Sequence, residues 1–150
     1  MESAEEQLDA FIAKFTPEVA AATRDALGKM RTRLPGAVEL VYDNYNALAI
    51  GFGPTERMAD VLFSIAVFPR WISLFLMGGQ SLPDPDGLLK GSGNTVRHIV
   101  LARPDLLESP GVQQLIALTL ERAGSPIDAL QPGRIVIKSI SAKQRPRQPK

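Results

Sequence analysis

The apolar residues near the start of the chain recur with the period of an amphipathic helix. They follow the i, i+3, i+4, i+7 spacing at Leu8, Phe11, Ile12 and Phe15. A second helix is predicted to begin at Thr16-Pro17, because Thr is a good N-cap and Pro fits the first helical position. Leu34-Pro35-Gly36 is typical of the end of that helix.

From Ala37 onward the apolar period changes to two, which indicates β-strands. Six strands are predicted near residues 38–42, 48–52, 61–68, 72–77, 96–102 and 134–140. A third helix is predicted to begin at Ser109-Pro110, after the fifth strand. Most strand connections are short, so we expect an α+β fold with a mainly antiparallel sheet of five to six strands and three helices.

Two strand patterns carry more specific expectations. Residues 61–68 and 72–77 are apolar on both faces, which predicts central strands covered on each side. In the second strand, large residues alternate with the small residues Ala47, Ala49 and Gly51. That smooth face can accept either a closely packed helix or a ligand.

Composition and charge limit the classes of protein to consider. The chain has 150 residues, of which 45% are apolar and 22% charged, as in an ordinary globular domain. We expect one domain over residues 1–141, followed by a basic, disordered tail over residues 142–150. Because the tail contains no aromatic residue, we expect it to make no more than weak, salt-sensitive contact with nucleic acid.

No cysteine is present, which excludes disulfides, zinc–thiolate sites and cysteine nucleophiles. The N-terminus is acidic and lacks the apolar core of a signal peptide. The most apolar region, residues 61–77, is interrupted by Pro69 and Arg70, so it predicts two strands rather than a membrane span. These features predict a cytoplasmic protein without a membrane partner.

The best candidate site is the glycine-containing loop before the fifth strand. Its members are Lys90, Gly91, Ser92, Gly93, Asn94 and Arg97. Glycines at positive φ can turn successive N–H groups inward to form an anion-binding nest, which the two basic side chains would complete. The loop lacks the spacing of a P-loop and precedes a strand, and its glycines can equally serve ordinary turns.

Polar and aromatic residues on other predicted strands and turns are further candidates for a site. Tyr42 and Tyr45 can form the polar rim of a pocket or satisfy backbone groups at a turn, and Trp71 beside Arg70 can anchor a partner. His98 lies in an apolar row and is expected to face the core. Arg97 points the opposite way and requires an acid, a ligand or water.

Several short motifs together resemble the YdhG-like family of small bacterial domains. They are Tyr42-Asp43-Asn44-Tyr45-Asn46-Ala47-Leu48, Leu82-Pro83-Asp84-Pro85-Asp86-Gly87-Leu88-Leu89, Lys90-Gly91-Ser92-Gly93 and Val96-Arg97-His98-Ile99. The resemblance spans about residues 8–124 and implies an α+β domain of a family largely of unknown function. Some members carry an iron-chaperone label, which would require a cluster of carboxylates and imidazoles.

The sequence does not favour an enzyme. It has one His, no Cys and no G-x-S-x-G motif, and it implies no cofactor. We therefore expect a binding or accessory protein for a small anionic ligand at Lys90–Arg97, with Tyr42, Tyr45 and Trp71 nearby. Two alternatives are a homodimeric interaction module that uses an exposed sheet face and, from the resemblance, an intracellular iron-binding chaperone.

Overall fold

A computed structural model describes residues 2–149 of the chain and confirms the α+β fold. The helices are α1 (Ala4–Ile12), α2 (Pro17–Arg33) and α3 (Pro110–Glu121). The strands are β1 (Val38–Asp43), β2 (Leu48–Gly53), β3 (Phe63–Val67), β4 (Ile72–Leu76), β5 (Arg97–Val100) and β6 (Arg134–Ile140). None of the helices in this part of the chain has the length and apolar character needed to cross a bilayer.

Local sequence explains the starts of the first two helices. Ser3 accepts a hydrogen bond from the Glu6 backbone, and the Glu6 side chain accepts one from the Ser3 N–H, which is a complete capping box. The Thr16 side chain accepts from the Val19 N–H and Pro17 occupies the first turn, as predicted for α2.

The six strands form one sheet in the order β5-β4-β3-β2-β1-β6. Strands β1 to β5 pair antiparallel with their neighbours, whereas β6 pairs parallel with β1. The predicted, mainly antiparallel character is therefore confirmed. The parallel edge arises because the chain crosses from α3 back to the far side of β1 before it forms β6.

The helices pack on only one face of the sheet, which we call the core face. Its buried residues include Ile50, Ile65, Leu74 and Ile99, which join the helices in one hydrophobic cluster. The opposite face, which we call the open face, carries no helix among residues 2–149. The strand order confirms that β3 and β4 are internal strands. The prediction that they are covered on both sides is wrong, because no helix layer within residues 2–149 lies over their second face.

A loop covers part of the open face. A Cβ atom built on Gly51 would lie 3.2 Å from a Val61 methyl group, and one on Gly53 would lie 2.9 Å from the Asp60 carbonyl oxygen. The small residues at this end of β2 therefore accommodate the loop of residues 54–62, rather than either a helix or a ligand. Lys138 on β6 supports the loop by donating to the Glu56 carbonyl.

Residues 141–149, which we call the C-terminal strap, pack against the rest of the domain. The Arg147 residue is only 6% exposed, and its Nη2 donates to Asp43 Oδ1 at 2.9 Å. Gln148 donates to the carbonyls of Lys14 and Phe15. These contacts differ from the disorder predicted for residues 142–149; Lys150 lies outside the described residues. The physical reason is the buried Asp43 carboxylate, which requires a cationic partner.

Candidate functional site

The loop predicted to bind an anion has a different internal geometry. Gly91 has a positive φ of 114°, but Gly93 does not, so the glycines do not form the alternating backbone of a nest. Arg97 Nη1 donates to the carbonyls of Gly93 at 2.6 Å and Val96 at 2.9 Å. Lys90 pairs its backbone with His98 beside β5. Arg97 thus braces its own loop through neutral carbonyls.

The loop residues Gly91, Ser92, Gly93 and Asn94 are exposed at one end of the sheet. Tyr42 lies at the opposite end, since the register places Arg97 opposite Leu76 and places Tyr42 in the row of Ser73. With strands about 4.8 Å apart and residues about 3.4 Å apart, Arg97 and Tyr42 are separated by roughly 20 Å. The structure therefore does not bring the predicted site residues into one pocket.

Tyr45 contacts the C-terminal strap instead of a pocket. Its carbonyl accepts from the Arg145 N–H at 2.9 Å, and its ring lies 5.8 Å from the Arg145 guanidinium carbon. The neighbouring Asn44 carbonyl accepts from Arg147 Nη2 at 2.6 Å. The turn after β1 is thus the docking point of the strap, which agrees with the structural alternative for these residues.

His98 does not face the core. Ile99, its neighbour on β5, is the residue buried in the core cluster, and His98 lies half-buried on the open face. There it stacks on Phe75 with ring centroids 5.0 Å apart. The prediction of its orientation is wrong because the row that enters the core is the one that carries Ile99, although the same row begins with Arg97.

Trp71 lies beside a groove that opens between α2 and the ends of β4 and β5, which we call the α2 groove. It has a volume of about 500 Å³ and is lined by Thr16, Glu18, Val19, Ala22, Pro69, Arg70, Trp71, Ile72, Leu101, Ala102 and Pro149. A narrower extension of about 90 Å³ shares Ala22, Ile72, Leu101 and Ala102 and continues to Leu107. The groove is a gap in the helix layer above the core face.

Side-chain size explains why the gap exists. The helix wall is formed by Ala22 and Ala26, whose methyl groups reach only a short distance from α2. The sheet contributes Ile72 and Leu101, so the floor is apolar. Sequence reasoning identified Trp71 but missed the floor. The alanines of α2 are a signal for such a gap, although alanine is also common in fully packed helices.

The rim of the α2 groove carries charges of opposite sign on its two walls. Glu18 lies on the helix wall and Arg70 on the sheet wall, and neither side chain forms an ion pair within residues 2–149. Trp71 is 46% exposed and stacks on Phe68, with centroids 4.7 Å apart. An apolar floor with a few charged or aromatic rim residues is typical of a ligand site.

A larger depression of about 860 Å³ lies elsewhere on α2, but its charges pair with one another. Lys29 Nζ lies 2.8 Å from Asp25 and 2.9 Å from Glu108, and these contacts raise the Lys29 pKa. Arg33 donates to the Gln113 side chain at 3.1 Å. This depression is more open than the α2 groove and has no apolar floor, so it is the weaker candidate.

Two ion-pair networks stabilise the fold rather than forming a reactive centre. Arg31 donates to Glu39 and Glu5, and the Glu39 contact raises the Arg31 pKa. Burial raises the pKa of Asp43, but the hydrogen bonds from Lys14 and Arg147 outweigh it and hold that pKa below its usual range. The Asp43 carboxylate is thereby held in the charged form.

Within residues 2–149, no group of three or more His, Asp or Glu side chains is placed to hold a metal ion. Two acidic residues of α1 form separate ion pairs: Glu5 pairs with Arg31, and Asp9 pairs with Arg24.

Comparison with known proteins gives no family model, no curated protein and no solved structure that matches this chain. The resemblance to the YdhG-like family consequently stays a prediction.

Proposed function

We propose that this chain is a binding or accessory domain that holds a small amphiphilic anion in the α2 groove. The observation that carries the proposal is the combination of an apolar floor, Ile72 and Leu101, with an Arg70 at the rim that forms no ion pair within residues 2–149. A hydrocarbon or aromatic portion of the ligand would replace water above the floor, which contributes about 25 cal/mol per Å² of buried apolar area. The ligand is of the anionic class predicted from the sequence, but its proposed site is the α2 groove instead of the Lys90–Arg97 loop.

The charges at the rim orient such a ligand. Arg70 can donate charge-assisted hydrogen bonds to a carboxylate or phosphate, while Glu18 on the facing wall repels the same group. The anionic group is therefore expected beside Arg70 and Trp71, with the apolar portion directed toward Ala22 and Leu107. Because Arg70 attracts the anion and Glu18 repels it, neutralising Arg70 should weaken binding and neutralising Glu18 should strengthen it.

Thermal melting and titration calorimetry with octanoate and phenyl phosphate test the proposal. We expect both probes to raise the melting temperature, and inorganic phosphate, which lacks an apolar portion, to leave it unchanged. Arg70→Gln should weaken octanoate binding by up to about fivefold, because an ion pair at an exposed rim contributes at most about 1 kcal/mol. Glu18→Gln should strengthen it by about twofold, since the repulsion acts across a solvated rim.

Matched controls separate this site from the others. Ala22→Phe should fill the groove and abolish binding, with circular dichroism checking that α2 is intact. Octylammonium has the same chain and the opposite charge, and it should bind more weakly than octanoate, because Arg70 beside Trp71 would repel its ammonium group. Tighter binding of octylammonium than of octanoate, or unchanged octanoate binding in both Arg70→Gln and Ala22→Phe, would overturn the proposal.

The Lys90–Arg97 loop is the second candidate site for an anion. The exposed Lys90 side chain and the exposed backbone of residues 91–95 favour it, while the use of Arg97 Nη1 by two carbonyls weakens it. Arg97→Gln distinguishes the two sites in the same titrations. Loss of phosphate or phenyl phosphate binding in Arg97→Gln, but not in Arg70→Gln, would place the anion at this loop.

A further inference from the structure

The α2 groove becomes much narrower where it continues toward Leu107. Its wide part has a volume of about 500 Å³, whereas the extension beyond the wide part has a volume of only about 90 Å³. An apolar protein cavity that accepts a benzene ring measures about 150 Å³. The extension is therefore too small for an aromatic ring, but it has room for the end of a single hydrocarbon chain.

The walls of the extension belong to the packed core of the domain. Ala26 on α2 is 3% exposed, and Leu107 is 2% exposed. Both residues, and Ile72 on the sheet side, are members of the hydrophobic core cluster. Because a close-packed core does not expand without cost, the extension cannot widen easily to admit a bulkier group.

The charged residues at the far end of the extension are already paired within the protein. Asp25 Oδ2 lies 2.8 Å from Lys29 Nζ, and Arg103 Nε lies 2.8 Å from Asp105 Oδ1. A carboxylate that arrived at this end would be repelled by Asp25 and would compete with Asp105 for Arg103. The far end therefore favours an uncharged chain terminus over a second anionic group.

Helix α2 gives the length of the groove, since its residues line both parts. Glu18 lines the wide part, Ala22 lines both parts and Ala26 lines the extension. An α-helix rises about 1.5 Å per residue, so Glu18 and Ala26 are roughly 12 Å apart along its axis. Staggered carbon–carbon bonds of about 1.5 Å cover this distance in roughly ten bonds.

We infer that the ligand is an unbranched alkyl carboxylate with a chain of about eight to ten carbons. The inference rests on the proposed binding of an amphiphilic anion in the α2 groove, and it specifies the class of that anion. The carboxylate lies beside Arg70, and the chain crosses the floor formed by Ile72 and Leu101. The terminal methyl group enters the extension between Ala26 and Leu107.

Titration calorimetry with unbranched carboxylates from butanoate to tetradecanoate tests the inference. Each added methylene should tighten binding about two- to fourfold until the chain fills the extension, at about ten carbons, and longer chains should gain nothing more. Decanedioate carries a second carboxylate at the far end, and it should bind about tenfold more weakly than decanoate. An affinity that keeps rising by the same factor up to tetradecanoate would overturn the inference.

Two variants change the extension without changing the rim. Ala26→Leu should fill the extension and weaken decanoate binding about tenfold, whereas phenyl phosphate, whose ring stays in the wide part, should bind as it does to the wild type. Leu107→Ala should lengthen the extension, so that dodecanoate binds more tightly than decanoate. Circular dichroism checks the fold of each variant, and Leu107→Ala tests the inference if Ala26→Leu does not fold.

The same titrations distinguish failure of this inference from failure of the proposed function. If phenyl phosphate binding is lost in Ala22→Phe while decanoate binding is unchanged in Ala26→Leu, the α2 groove remains the site and the alkyl chain in the extension is refuted. An unchanged order of decanoate and dodecanoate in Leu107→Ala would refute it as well. If neither decanoate nor phenyl phosphate binds the wild type, the proposed function and the inference both fall.

Discussion

Replacing Arg147 by Ala should destabilise the protein by about 2–4 kcal/mol. Arg147 donates to Asp43 Oδ1 at 2.9 Å and to the carbonyl oxygens of Asn44 and Tyr45, and its guanidinium carbon lies 5.7 Å from the Phe15 ring centroid. Breaking a buried ion pair by removing one partner costs about 3–5 kcal/mol.

The remaining partner of Asp43 reduces that cost. Asp43 is fully buried, but Lys14 Nζ still lies 2.8 Å from its Oδ2, and the Lys14 side chain is 41% exposed and reaches solvent. The carboxylate therefore keeps one partly screened counter-charge, which lowers the expected loss to about 2–4 kcal/mol. For a domain of this size, that loss corresponds to a fall of roughly 4–16 °C in melting temperature.

Urea unfolding followed by circular dichroism measures the change. The midpoint should fall while the slope of the free energy of unfolding against urea stays constant. Arg145→Ala is the matched control, because Arg145 has the same charge in the same strap but is exposed and lies over Tyr45 at 5.8 Å. It should cost less than about 1 kcal/mol. A loss below about 0.5 kcal/mol in Arg147→Ala would refute the packed strap and restore the predicted disordered tail.

Three other expectations follow from single contacts. The lowered pKa of Asp43 means that its stabilisation is present above its unfolded pKa of about 3.9 and is lost as pH falls through the folded pKa, so acid unfolding should be less steep in Asp43→Asn. Gly28→Ala should raise the free energy of unfolding by about 0.5–1 kcal/mol in the same urea assay, because Gly28 lies in a helix and an added Cβ would meet nothing within 4 Å. Gly36→Ala should lower it, because Gly36 has a φ of 84° and an added Cβ would clash with a backbone carbonyl. Arg31→Ala should cost about 2–4 kcal/mol by leaving Glu39 buried without its bidentate partner, and Arg31→Lys should recover only part of that loss in thermal melts.

Strong local periodicity made most of the fold predictable. The caps at Thr16 and the apolar spacing of α1 specify helices independently of the rest of the chain, and the short connections from β1 to β4 require antiparallel pairing. Local pattern does not specify which edge of the sheet receives β6. That choice depends on the path of the chain after α3 and on the pairing of Ile135 and Ile137 with β1.

The candidate site was less predictable because sites depend on long-range neighbours. Arg97 is a residue type that commonly binds anions, yet its guanidinium donates to the carbonyls of Gly93 and Val96 in its own loop. Alternation alone leaves the orientation of His98 open, since each row of β5 contains both apolar and polar residues. Arg147 lies in a polar, proline-containing segment, and only the burial of Asp43 shows that a counter-charge must come from there.

The parallel pairing of β6 with β1 also bears on the order in which the protein folds. Val38 pairs with Arg134 and Asp43 with Ile140, so this ladder joins distant parts of the chain, whereas β1 to β4 pair through short hairpins. Closing so long a loop costs entropy before the contacts form, which slows that step. The meander β1–β4 with α1 and α2 should therefore assemble first, leaving the β1 edge unpaired until β6 docks. During that interval the exposed edge of β1 can pair with another molecule.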